Sequence, residues 1–65
     1  MAIQINVVHG SEFAKADDRE RAMSAAVDAL EAGKSVEEAE CLANLALTQG
    51  WHDPNGASCE LIVKS

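Results

Sequence analysis

The residues that could carry chemistry are two histidines, the acidic residue beside the second of them, and a cysteine near the end of the chain. His9, His52 and Asp53 are side chains that act in acid–base catalysis or bind metal ions, and Cys59 would add a fourth group. None of them follows the His-x-x-His, Cys-x-x-Cys or His-Glu-x-x-His spacing of metal and redox sites. We therefore expect the histidines in turns or on the surface. The sequence predicts no catalytic residue, no metal ligand and no cofactor, and so a protein that is not an enzyme.

The two cysteines also predict a structural rather than a chemical role. Cys41 and Cys59 have no evident cation or base beside them, so we expect both to be small buried hydrophobic side chains with reduced, unreactive thiols. Two cysteines are too few for a secreted disulfide scaffold, and Met1–Asn6 does not resemble a signal peptide. The expected location is a reducing cytoplasm.

The charge of the chain narrows the class of partner. The 65 residues include 5 basic and 11 acidic side chains, which gives a net charge of −6 and a pI near 4.6. Nucleic acids and anionic membranes are bound through basic surfaces, so we expect no direct binding to either. No apolar run approaches the roughly 20 residues of a membrane span. A charged partner should instead be a protein with a basic surface.

Two groups of acidic residues are candidates for binding such a partner. No basic residue lies between Ser35 and Val63, so the acids of the second predicted helix have no local counter-charge. In the first helix Arg19 and Arg21 alternate with the acids, which makes that group the second choice. Acids in a first helical turn also complement the helix dipole, and this alone could account for some of them. The predicted partner-binding residues are Glu37, Glu38 and Glu40, followed by Asp17, Asp18 and Glu20.

Both ends of the chain predict β-strands. In residues 2–9 apolar and polar side chains alternate, and residues 57–64 alternate in the same way. The apolar positions of the two segments should form one inward face. They are Ile3, Ile5 and Val7 in the first strand and Ala57, Cys59, Leu61 and Val63 in the second.

The region between the strands predicts two helices. We favour a long first helix that begins at Glu12 after a Ser11 cap and ends at Gly33, with a later start capped by Asp17 as the alternative. Its apolar face should hold Met23, Ala26, Val27 and Leu30.

Cap residues mark both ends of the second helix. Ser35 and Glu38 form a capping box at its start, and the helix should run to about Gln49. Gly50 should end it, with Trp51 folding back as in a Schellman motif. The predicted apolar set is Val36, Ala39, Leu42, Ala43, Leu45, Ala46 and Leu47, and residues 53–56 should form a turn.

These elements predict a single domain, residues 1–65, of the α/β (α+β) class. Short connections make each element run opposite to the last, so a two-layer β-α-α-β fold results, with an antiparallel two-stranded sheet of the termini packed against a helical hairpin. Two strands leave two open edges. A homodimer, or addition of a partner strand, would complete such a sheet.

In size, acidity and two-layer layout the chain resembles the small inhibitors encoded by phages and mobile elements, notably anti-CRISPR and anti-restriction proteins. The resemblance covers the whole chain at the level of composition and architecture, and no motif carries over. It implies a protein-interaction module that occludes a basic nucleic-acid-binding surface of a bacterial defence complex, with carboxylates in place of phosphates, inside the host cytoplasm. The alternative is a structural or assembly protein that acts as a homodimer through its strand edges and an apolar helix face.

Overall fold

A computed structural model of the chain describes residues 2–64. The elements in chain order are β1 (Ala2–His9), α1 (Ala16–Glu31), α2 (Val36–Leu47) and β2 (Ser58–Lys64). The strands pair antiparallel in one two-stranded sheet, and the two helices form a hairpin against it. The predicted two-layer β-α-α-β fold is therefore confirmed. In the described part of the chain, no helix is long and apolar enough to cross a membrane.

The sheet has the inward face that the alternating side chains predict, and the structure gives its register. Ile5 lies opposite Leu61, and Val7 lies opposite Cys59. Of the inward residues of β2, Cys59 and Leu61 are buried and Val63 is half-buried, whereas all three inward residues of β1 are half-buried. An irregularity between Val7 and His9 leaves one extra residue, Val8, in β1, and this bulge ends the regular part of the strand.

The two helices meet through alanine side chains. Small residues at helical spacing let the backbones of α1 and α2 lie close together, and Leu47 is the one large side chain that is fully buried among the described residues. The buried alanines of the hairpin are Ala22, Ala26 and Ala29 in α1 and Ala39 and Ala43 in α2.

The predicted apolar face of α2 is wrong in part. Leu45 is 65% exposed, Val36 is 44% exposed and Leu42 is 38% exposed. Apolar residues occupy nearly every side of this helix, so the pattern could not choose a face. The inward face is the one that carries Ala39, Ala43 and Leu47, because alanines permit the close helix contact.

Helix α1 begins later than predicted. It starts at Ala16 after Lys15, so both the start at Glu12 and the cap at Asp17 are wrong. Residues 11–13 form a turn instead of the first turn of the helix, and the Phe13 amide donates to the Gly10 carbonyl at 2.9 Å. Gly10 itself has a φ of +70°, and a side chain there would collide with the Gly56 backbone.

The predicted end of α1 is confirmed. Gly33 has a φ of +86°. Its amide donates to the Leu30 carbonyl, and the Lys34 amide donates to the Ala29 carbonyl at 3.0 Å. These two bonds are the Schellman pattern.

The ends of α2 follow the prediction in outline. The Ser35 hydroxyl accepts from the Glu38 amide at 3.1 Å, as predicted. Among the described residues the Ser35 amide does not donate to the Glu38 carboxylate, so the second bond of the capping box is missing. The carboxylate lies 3.9 Å from the Lys34 ammonium instead. The helix ends at Leu47, and the Trp51 amide donates to the Thr48 carbonyl at 3.0 Å, a simple turn instead of a Schellman motif.

The predicted turn at residues 53–56 is present. The Asp53 side chain accepts from the Asn55 amide at 2.9 Å, and the Asp53 carbonyl accepts from the Gly56 amide at 3.1 Å. The aspartate therefore closes the turn with both its side chain and its backbone.

Candidate functional site

The outward face of α1 carries a row of acidic side chains, which we call the acidic ridge. At 100° per residue, its members fall within an arc of about 80° along the helix. All are exposed, and among the described residues none of its carboxylates has a lysine or arginine nitrogen within ion-pair distance. The ridge consists of Asp17, Glu20, Asp28 and Glu31, with Ser24 between the two acidic pairs.

The arginines of α1 do not neutralise this ridge because backbone carbonyls hold them elsewhere. Arg19 donates to the carbonyls of Ala14 at 3.3 Å and Ser11 at 3.1 Å, which fixes the segment before the helix. Arg21 donates to the carbonyl of Ala46 at 2.7 Å and so ties α1 to the C-terminal end of α2. The arginines thus support the fold, and the ridge keeps its negative charge.

Asp18 was predicted with Asp17 and Glu20, but it belongs to the helix cap. Its carboxylate accepts from the Lys15 backbone amide at 3.1 Å and lies 2.8 Å from the Arg21 guanidinium. These contacts, the Lys15 amide first and Arg21 second, lower the pKa of Asp18 below its ordinary value. The charge of Asp18 is therefore compensated within the domain, unlike the charges of Asp17 and Glu20.

The three acidic residues predicted to bind a partner from the second helix differ in their exposure to solvent. Glu37 and Glu38 are exposed at the start of α2, and Glu38 has Lys34 nearby. Glu40 is half-buried, and its carboxylate accepts from the Leu61 amide of β2 at 3.0 Å. Their partner-binding role stays a prediction, and Glu40 has a structural role beside it.

Asn44 also reaches from α2 to β2, and the sequence analysis missed it. Its amide oxygen accepts from the Cys59 amide at 2.8 Å, and its amide nitrogen donates to the Cys59 carbonyl at 2.9 Å. Together with Glu40, it occupies the edge of β2 that faces away from β1. The available signal was a single amide side chain within an otherwise apolar run.

The histidines lie at the predicted end of the molecule but do not form a cluster with Asp53. His9 lines one groove, of about 300 Å³, beside Leu45. His52 and Asp53 line another, of about 560 Å³, beside Trp51. Within residues 2–64, no three histidine, cysteine, aspartate or glutamate side chains are grouped closely enough to hold a metal ion.

The two cysteines differ in their surroundings. Cys59 is buried as predicted, and burial, together with the charge of Glu40, raises the pKa of its thiol. Cys41 is exposed, so the prediction that it is buried is wrong. It lies on the outward side of α2, because the inward side is taken up by the alanines.

Comparisons with known proteins identify no relative, so a functional site can be assigned only from the geometry of this structure. No family model, curated protein or solved structure matches the chain. No functional residue can therefore be transferred from a relative. The acidic ridge is the feature of the described surface that most clearly presents charge without a structural use.

Proposed function

We propose that the protein is a non-catalytic interaction module, an inhibitor of the anti-CRISPR or anti-restriction kind. It covers a basic nucleic-acid-binding surface of a bacterial defence complex in the host cytoplasm. The observation that carries this proposal is the acidic ridge, whose four carboxylates are exposed on one side of α1 while both nearby arginines are bound to carbonyls.

The shape of the ridge suits a surface that normally holds a nucleic acid backbone. From Asp17 to Glu31 it extends about 21 Å along a straight helix, at 1.5 Å per residue. A row of negative charges on a rigid element resembles a stretch of phosphates and can contact the same lysines and arginines. Glu37 and Glu38, which are exposed on α2, add negative charge elsewhere on the molecule.

The net charge favours rapid association with such a target. A molecule of −6 is attracted to a basic groove before contact, and complementary charge speeds association and excludes acidic partners. The interaction should therefore weaken as salt concentration rises, because exposed charges are screened over about 8–10 Å at physiological ionic strength.

Displacement of DNA from purified defence complexes tests this function. Labelled target DNA is bound to each member of a panel that contains an RNA-guided multisubunit complex, a single-chain RNA-guided nuclease and a restriction endonuclease. The protein is then titrated, and retained DNA is measured by gel shift. The proposal predicts displacement from at least one complex, with direct binding of the protein to that complex and a loss of displacement at high salt.

Two outcomes would contradict the proposal. One is a protein that binds no panel member and displaces DNA from none. The other is a protein that lowers DNA binding without contacting the complex, which would indicate an effect on the DNA itself. A basic control protein that lacks any nucleic-acid site distinguishes specific docking from general attraction of opposite charges.

A further inference from the structure

The outer edge of β2 is closed by side chains of α2. Asn44 bonds both the amide and the carbonyl of Cys59, and Glu40 accepts from the amide of Leu61. An incoming strand would need these same backbone groups. The central stretch of β2 is therefore unable to pair with another chain unless α2 moves away.

The outer edge of β1 is open by comparison. Because the amides of Cys59 and Leu61 point away from β1, their partners Val7 and Ile5 form non-hydrogen-bonded pairs with them. The backbone groups of Ile5 and Val7, and by alternation those of Ile3, thus point away from β2. Among the described residues nothing bonds to them, since the sheet has only two strands.

This open edge also lacks the features that usually block strand pairing. Strand β1 contains no lysine, arginine, aspartate, glutamate or proline, although the whole chain has a net charge of −6. The inward side chains Ile3, Ile5 and Val7 are only half-buried, so a neighbouring strand would cover apolar surface as well as backbone. The bulge at Val8 limits the usable edge to the residues before it.

We propose that the occupant of this edge is a second copy of the chain. It would pair β1 with β1 antiparallel about a twofold axis at Ile5. In that register Ile5 faces Ile5 of the second copy, and Ile3 faces Val7. All three residues with outward backbone groups then form hydrogen-bonded pairs, and a shift by two residues in either direction loses some of these pairs.

Symmetry favours a second copy as the occupant, and the absence of charged side chains from β1 permits it. Two chains that each carry −6 repel each other, and the uncharged β1 is the strand through which they can meet at the lowest electrostatic cost. The register makes the edge self-complementary, as a twofold interface requires. The dimer has one four-stranded antiparallel sheet with both helical hairpins on the same face. Such a sheet is more stable than the two-stranded sheet of the single chain, because a two-stranded sheet alone has only marginal stability. The tests of this dimer require no assumption about the role of the acidic ridge.

A pair of charge variants tests the register without disturbing the single chain. Gln4 and Asn6 are exposed, and across the proposed interface Gln4 lies opposite Asn6 of the second copy. In Q4K/N6K these positions place lysine opposite lysine. In the matched variant Q4E/N6K they place glutamate opposite lysine. In both variants the new lysine at position 6 lies next to Glu60, which Asn6 contacts at 3.2 Å in the wild type. The folded single chain should therefore tolerate both pairs of substitutions.

Sedimentation equilibrium from about 1 µM to about 1 mM gives the dissociation constants. We expect the wild type to rise from 6.9 kDa toward twice that mass. The dimer of Q4K/N6K should have an about tenfold higher dissociation constant than wild type, even though its smaller net charge reduces the general repulsion between chains. Q4E/N6K should dimerise at least as well as wild type. A wild type that stays monomeric throughout, or two variants with equal dissociation constants, would overturn the proposal.

An isotope-filtered NMR experiment on the wild type gives a second measurement that needs no variant. In a mixture of labelled and unlabelled chains, the α-protons of Gln4 and Asn6 should show an intermolecular contact, because non-hydrogen-bonded pairs bring the α-carbons to about 4.5 Å. The amides of Ile3, Ile5 and Val7 should become more protected from exchange as concentration rises. Contacts at the exposed leucines of α2 instead would show a helix-mediated dimer and refute this one.

Discussion

Asn44 of α2 holds the backbone of Cys59 in β2 through both ends of its side-chain amide, at 2.8 Å and 2.9 Å. The pair acts as a short substitute for a third strand. It supplies hydrogen-bond partners for the two backbone groups of Cys59 that point away from β1. It also fixes the position of the helical hairpin relative to the sheet. One side chain thus links the two layers and closes a strand edge.

Replacing Asn44 with alanine should lower the free energy of unfolding by about 1–3 kcal/mol, because the Cys59 amide and carbonyl both lose their partner. Urea unfolding followed by Trp51 fluorescence measures this. Asn6→Ala is the control, since Asn6 makes an exposed bond to Glu60 and its loss should cost less than about 0.5 kcal/mol. Equal effects of the two substitutions would show that the Asn44 contacts contribute nothing specific.

Two leucines of α2 should respond in opposite ways to truncation. Leu47 is 0% exposed, so Leu47→Ala should cost about 2–5 kcal/mol and unfold much of a domain this small. Leu45 is 65% exposed, and Leu45→Ala should change stability by less than about 0.5 kcal/mol. Thermal melts of both variants test this, and a large loss at Leu45 would indicate that another molecule covers it in solution.

The contrast between these leucines shows what the sequence could predict of the fold. The strands were predictable because alternation in β1 and β2 admits one inward face. The buried face of α2 was not, because small alanines allowed the helices to approach on a side that hydrophobicity alone did not favour. The start of α1 was missed for another reason: Gly10, locked beside Gly56, and Arg19, bound to Ser11, hold the preceding segment in a turn.

The candidate site was predictable in part. Asp17 and Glu20 were singled out from their charge, but Asp28 and Glu31 were not, although helical spacing places all four on one side of α1. Glu40 shows the opposite difficulty, because nothing in its spacing indicates that it accepts from the Leu61 amide. That contact depends on how α2 lies against β2, which only the packed structure reveals.

The two thiols should react at very different rates with a maleimide or disulfide reagent at neutral pH. Cys41 is exposed and should label within the native state, whereas Cys59 is buried with a raised pKa and should label about a hundredfold more slowly. Mass spectrometry of the digested protein assigns each site. Addition of urea should bring the two rates together, and rapid native labelling of Cys59 would contradict its burial.

Asp18 should make stability depend on acidic pH. Its pKa in the folded chain lies below the ordinary value of 3.8, so its stabilising contribution is complete well above that value. The contribution is lost as pH falls through 3.8 and then through the lower folded pKa. Melting temperatures of wild type and Asp18→Asn should therefore converge at the acidic end. A constant gap at all pH values would mean that Asp18 acts without its charge.

A comparison of two variants in the DNA-displacement assay tests most directly whether the acidic ridge is the docking surface. E20Q/D28N/E31Q removes three ridge charges, while E12Q/D53N/E60Q removes three exposed charges that lie outside the ridge and outside the predicted acidic group of α2. Since each exposed charge contact contributes about 0.2–1 kcal/mol, we expect the loss of three contacts to lower the potency of the ridge variant by about 3- to 150-fold. The matched variant should stay within about twofold of wild type, because general attraction changes equally in both. Equal losses in the two variants, with both folded by circular dichroism, would contradict the assignment of the ridge as the docking surface.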